Sequence, residues 1–249
     1  MRAAPKTKAS PVARIRSSEF ELQRDRLAEQ AVRLFAVSDY ASASMAAIAQ
    51  ACSVSKATLY HYFQAKDDLL FHALDRYTNE LESLARLCLQ SSADRCLEPL
   101  ITQFVQAYAD AAHYHKALLH DVHHLPCAQR EQIRCIERQI VKHFQQAMIK
   151  DYPALEGCPH LGVTSMSLLG MLNFSFTWWR AQGTMSREAF AAELLTLWRG
   201  ALEAKVASLQ QAIGWASSDW LPACIHALRF CDFFKESLYD RSFRFAGRS

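Results

Sequence analysis

Residues 44–63, SMAAIAQACSVSKATLYHYF, constrain what this chain can fold into more tightly than any other stretch. Two short runs of helical periodicity follow one another, each preceded by a serine. Ser44 stands before Met45, Ile48 and Ala49, whose three- and four-residue spacing lays an apolar stripe along one face. Ser53 and Val54 make the turn. Ser55 can cap the second run, because its hydroxyl can accept from a backbone N–H one turn on, and Leu59, Tyr62 and Phe63 supply that run's buried side. The pattern predicts two short helices joined by a tight turn, a helix-turn-helix.

The rest of the chain is read as helix around that motif, giving an all-α fold. Only seven Gly and seven Pro occur in 249 residues, and no run alternates as a strand would. Residues 1–18 carry Pro5, Pro11 and the basic Arg2, Lys6, Lys8, Arg14 and Arg16 without an acid, which predicts a flexible basic arm suited to phosphates. A first helix over 18–37 presents Leu27, Ala31, Leu34 and Phe35 to clamp the motif from behind. A long helix over 66–89 starts with Asp67 and Asp68, where the helix dipole favours acids, and buries Leu70, Leu74, Tyr77, Leu81 and Leu84. Further helices are expected over 96–115, 126–150, 161–181 and 186–213, the third of these apolar nearly all round. Residues 161–179 are uncharged and about long enough to span a bilayer, but Ser, Thr and Asn through them favour burial between protein partners. Ala223, Ala227, Phe230, Phe234 and Leu238 predict one more helix over 221–239.

With RLAEQAVRLFAVSDY at 26–40, SMAAIAQACSVSKATLYHYF at 44–63 and KDDLL at 66–70, the chain resembles the DNA-binding domain of the TetR family of transcriptional regulators. Two departures stand out: Asp39 and Ser53 occupy positions where the family usually has Gly. The resemblance implies a division into the arm at 1–18, a DNA-binding domain at 19–65 and a ligand-binding and dimerisation domain at 66–213. Residues 214–249 form an extension beyond what the family commonly carries. It further implies a cytoplasmic homodimer that binds a palindromic operator and responds to a small-molecule inducer, with no catalysis and no cofactor. The two over-apolar helices at the end of the third domain then pair across a two-fold axis.

In such a motif the second helix enters the major groove and flanking groups hold phosphates. Lys56 can donate to a base or a phosphate, and Ala57 is small enough for close approach or a thymine methyl. The resemblance adds Thr58, Tyr60 and His61 as phosphate donors and counts Ser55, which caps the helix that carries them, among the DNA-binding residues. It also adds the helix N-termini at Ser44 and Lys66, whose peptide N–H groups can meet the backbone.

For the inducer, Phe104, Tyr108, Phe144, Met148, Met171, Phe174 and Trp178 are expected to line an apolar space among the middle helices, with Asn173 as a polar fixture. The segment LLGMLNFSFTWWRAQGTMSREAF resembles the C-terminal region of family members that sense acyl-CoA thioesters, which would give Arg134, Arg138 or Arg180 a role on the CoA phosphates. An alternative is metal sensing through His113, His115, His120, His123 and His124. His120 and His124, four residues apart, would share a helical face as chelating pairs do. The eight cysteines contain no C-x-x-C pair and read as reduced thiols.

Overall fold

The structure, a computed structural model, describes residues 11–91, 95–179, 183 and 185–216. Their order is α1 (Pro11–Ser38), α2 (Met45–Ala51), α3 (Lys56–Tyr62), α4 (Lys66–Gln90), α5 (Leu97–Asp110), α6 (Ala112–His120), α7 (Cys127–Asp151), α8 (Leu161–Trp178) and α9 (Arg187–Ala216). Short 3-10 turns lie at Val122–His124 and Pro153–Leu155. No strand occurs among the described residues. The chain divides into two units, 1–199 and 200–249; of the second, residues 200–216 are described and are helical.

α1 begins at Pro11, seven residues before the expected start, so the arm expected over 1–18 is helical from there on. Proline suits a first helical position because its missing N–H would find no partner there. Arg2, Lys6 and Lys8 lie outside the described residues, as do Arg180 and the helix expected over 221–239. α1 buries Leu27, Ala28, Ala31, Val32 and Phe35 and packs on α2, α4 and α6.

The core of the first unit is built where α4 packs along α7, with α5 and α8 closing it. Ile133, Ile136, Ile140, Phe144, Ala147 and Met148 are buried on α7, and the Phe104 and Phe144 rings meet edge to face at 4.9 Å. The single helix expected over 96–115 breaks at Ala111 (φ −115°, ψ 34°) into α5 and α6. No Gly or Pro marks the break. It turns α6 so that His115 is buried while its neighbour Lys116 reaches α1, a demand of packing that local sequence does not announce. α5 is capped from a distance: Asp151 at the end of α7 accepts from the N–H groups of Cys96 and Leu97 at 2.7 and 3.0 Å. No described helix is long and apolar enough to cross a membrane.

Candidate functional site

α2 ends in a backbone lock. The N–H of Ser53 donates to the carbonyl of Gln50 and that of Val54 to Ala49, each at 3.0 Å, which is the double bond of a Schellman motif. Ser53 occupies its left-handed position with φ +55°, and Asp39, after α1, has φ +64°. Both positions noted as departures from glycine therefore adopt the conformation glycine favours. Ser44 accepts from Ala47 N–H at 3.1 Å and Ser55 from Thr58 N–H at 2.9 Å, so both serines cap the helices they precede. The Ser55 and Thr58 hydroxyls also bond each other at 2.7 Å.

Leu59 is the one fully buried residue of α3, and Ser55, Lys56, Ala57, Thr58, Tyr60 and His61 are all exposed, as is Ser44. The Lys56 ammonium lies 5.8 Å from the Tyr60 ring centre, a cation–π approach that keeps the two together. α3 thus offers two cationic or ring-nitrogen groups and two hydroxyls on a short rigid element. Lys66 behaves differently. Its ammonium turns back to the carbonyls of Tyr40 and Ala43 at 2.7 and 3.0 Å and lies 4.1 Å from the Tyr40 ring centre. What remains at that corner for an anion is the start of α4, where Asp68 already accepts from the Ala65 N–H at 3.1 Å.

Tyr40 joins the motif to the rest of the unit. Its hydroxyl donates to Asp67, and its ring stacks on His124 at 4.6 Å. Burial, and after it the Asp67 carboxylate, raises the hydroxyl's pKa well above the usual tyrosine range. Nearby, Lys116 of α6 donates to the carbonyl of Ala36 at 2.6 Å, tying α6 to the last turn of α1.

The eight residues expected around a ligand separate into two groups. Phe104, Tyr108, Phe144 and Met148 are buried in the core, where the Tyr108 hydroxyl donates to the Asn173 side-chain oxygen at 2.8 Å. Met171, Phe174 and Trp178 point the other way and are exposed, Phe174 at 68%. They line a groove of about 710 Å³ between α8 and α9 with Met185, Phe190 and Leu197. The reason is the apolar circumference of α8: its spacing alone does not distinguish the inward side from the outward one.

The interior group carries a residue not expected there. His115 Nδ1 lies 3.3 Å from the Tyr77 hydroxyl, its Nε2 lies 3.2 Å from the Asn173 carbonyl, and its ring stacks on Tyr108 at 3.9 Å. Since a carbonyl can only accept, Nε2 bears the proton and Nδ1 accepts from Tyr77. Burial lowers the His115 pKa to about 4, and it raises those of Tyr77 and Tyr108 and of the nearby Glu137 carboxyl, the last against the pull of Arg134 and Arg138. Of those two arginines, both exposed, Arg138 pairs with Glu131 at 2.6 Å.

The five histidines do not form one cluster: His120, His123 and His124 lie around Asp121, with the His123 and His124 rings 3.9 Å apart, while the other two are elsewhere. His115 is in the core and His113 is half-buried toward α1. His120 is the last residue of α6 while His124 belongs to the following 3-10 turn, so the two do not share the helical face their spacing suggested. Among the described residues no group of three His, Cys, Asp or Glu side chains is placed to hold a metal ion. The six cysteines among those residues are free thiols.

Residues 27–73 match the family described as bacterial regulatory proteins, tetR family, and residues 90–202 match the one described as tetracyclin repressor-like, C-terminal domain. Among solved structures, a TetR-family transcriptional regulator from Bordetella parapertussis 12822 is similar at 29% identity over 70% of this chain and 93% of that one, with a TM-score of 0.66. PfmR, a TetR-family transcriptional regulator from Thermus thermophilus, is similar at 22% identity over 70% of this chain and 98% of that one, at 0.63. AibR, described in complex with isovaleryl coenzyme A and operator DNA, follows at 23% identity over 70% and 97%, at 0.62. No curated protein matches the chain.

Proposed function

This chain belongs to the TetR family of transcriptional regulators, and on that footing we propose that it acts as a cytoplasmic homodimeric repressor, released from a palindromic operator by a small-molecule inducer. Residues 19–65 form the reading head and 66–213 the ligand and dimer domain. The observation that carries the reading is α3, a doubly anchored helix whose exposed side consists of Lys56, Ala57, Thr58, Tyr60 and His61. Lys56 and Ala57, near its N-terminus, meet base edges, while Thr58, Tyr60 and His61 hold phosphates. Ser44 and the start of α4 at Lys66 offer peptide N–H groups to the backbone on either side. The second head comes from a second copy, joined through the exposed apolar side of α8 and α9, so that two α3 helices meet major grooves about 34–36 Å apart.

The inducer reading rests on the interior where Tyr108, Asn173 and His115 meet. An acyl-CoA thioester suits it: the acyl chain would displace packing around Phe104, Phe144 and Met148, and Arg134 or Arg138 would pair with CoA phosphates. AibR, of the same fold, is described with isovaleryl coenzyme A. Two routes lead from that interior to the head. α4 carries Tyr77 near its middle and Lys66 and Asp67 at its start. α6 is more direct, since His115 touches Asn173 and the adjacent Lys116 holds the last turn of α1. An inducer that shifts α6 thereby favours a state in which the heads no longer fit both grooves.

Selection from a random duplex library should yield one palindrome, bound far more tightly than random DNA at matched salt. A Lys56→Ala, Tyr60→Ala variant should bind it at least tenfold more weakly, having lost one base contact at about 1–3 kcal/mol and one phosphate contact besides; unchanged binding means that α3 is not the reader. For the inducer, a panel of CoA esters is followed by thermal shift, and a flat response to all of them removes the acyl-CoA reading.

A further inference from the structure

We propose that Phe20 is a positioning residue for the reading helix, fixing the side chains of the last turn of α3 and aiming His61 at the DNA backbone; this rests on the DNA-binding reading of α3 given above. α3 has seven residues, too few to hold its own shape in water. Its first turn is secured by the Ser55 cap and its middle by Leu59. The backbone of the last turn is held by Phe63, which is buried and whose N–H donates to the Leu59 carbonyl at 3.0 Å, but the side chains that the turn presents are not fixed by burial, since His61 is exposed and Tyr62 is half-buried.

Phe20 holds those side chains from α1. Its ring stacks on Tyr62 at 4.6 Å and 28°, and meets His61 edge to face at 5.8 Å and 87°. The His61 and Tyr62 rings meet edge to face in turn, at 5.2 Å and 79°. The three rings close a triangle in which neither α3 side chain can turn without losing contact with two others. Phe20 is only half-buried and is flanked by the exposed Ser18 and Glu19, so it stands apart from the core of α1 that begins at Leu27. An aromatic ring in that place serves the α3 side chains it touches more than it serves the folding of the unit.

The test uses the full-length protein and the palindrome it selects from a random library. Phe20→Ala should weaken binding by about threefold to tenfold, the range of one to two aromatic contacts, with the thermal midpoint little changed. Phe20→Tyr should restore parental affinity, and Phe20→Leu, which keeps apolar bulk without a ring, should not. His61→Ala should cost less in the Phe20→Ala background than in the parent, because the imidazole there is already unaimed. Equal cost of His61→Ala in both backgrounds, or parental affinity in Phe20→Ala and Phe20→Leu, overturns the proposal while leaving α3 as the reader. If the parent selects no palindrome, the regulator reading fails and the role of Phe20 falls with it, an outcome visible before any variant is made.

Discussion

Ser53 holds a left-handed backbone at φ +55° without being glycine. A side chain in that region costs about 1–2 kcal/mol, offset in part by the freedom glycine would lose on folding. Ser53→Gly is therefore expected to stabilise the protein by roughly 0.5–1 kcal/mol, read as a rise of about 2–4 °C per kcal/mol in the thermal midpoint. His115 sets a pH dependence. Its folded-state pKa of about 4 lies below the ordinary 6.5, so the unfolded chain takes up the proton first as pH falls. The stability held above pH 6.5 should decline between pH 6.5 and 4, by on the order of 3 kcal/mol. Urea titrations across that window should show the slope, and His115→Gln should flatten it.

Between elements, the contact with most at stake is the carboxylate of Asp151, which satisfies two N–H groups at the start of α5 from the far end of α7. Asp151→Ala leaves both donors without that acceptor and should cost about 1–2 kcal/mol in urea denaturation. Nothing near residue 96 in sequence suggests this cap, because its acceptor lies 55 residues on. The break at Ala111 has a similar origin. Apolar periodicity runs through 101–108 into α6 without interruption, and only the need to bury His115 and present Lys116 to α1 bends the chain there. In contrast, α7 was legible to the residue: its six buried positions follow from the spacing of Ile133, Ile136, Ile140, Phe144, Ala147 and Met148 alone.

At the scale of the molecule, two predictions concern how the parts work together. Lys116→Met removes the bond from α6 to the last turn of α1. Hydrogen exchange should then quicken over residues 36–43, and the effect of an inducer on operator binding should shrink while its own binding persists. Phe174→Glu places a charge on the outward apolar side of α8. On the proposed pairing through α8 and α9, sedimentation should show a shift from dimer to monomer, and affinity for the palindrome should fall steeply because one head alone would reach one half-site.

Local sequence is enough for the all-helical class, the two capped helices of the motif and the exposed set on α3, because caps and periodicity act within a few residues of chain. The family resemblance marks Asp39 and Ser53, the two non-glycine positions among the described residues whose backbone is left-handed. Packing between elements settles what local pattern leaves open: that Lys66 faces inward to the 40–43 segment, that His115 leaves its neighbouring histidines for the core, and that Phe174 and Trp178 look outward while Tyr108 and Asn173 meet inside. The reason is one of range. A helix apolar on every side, or a histidine among histidines, has no preferred direction until other elements pack against it.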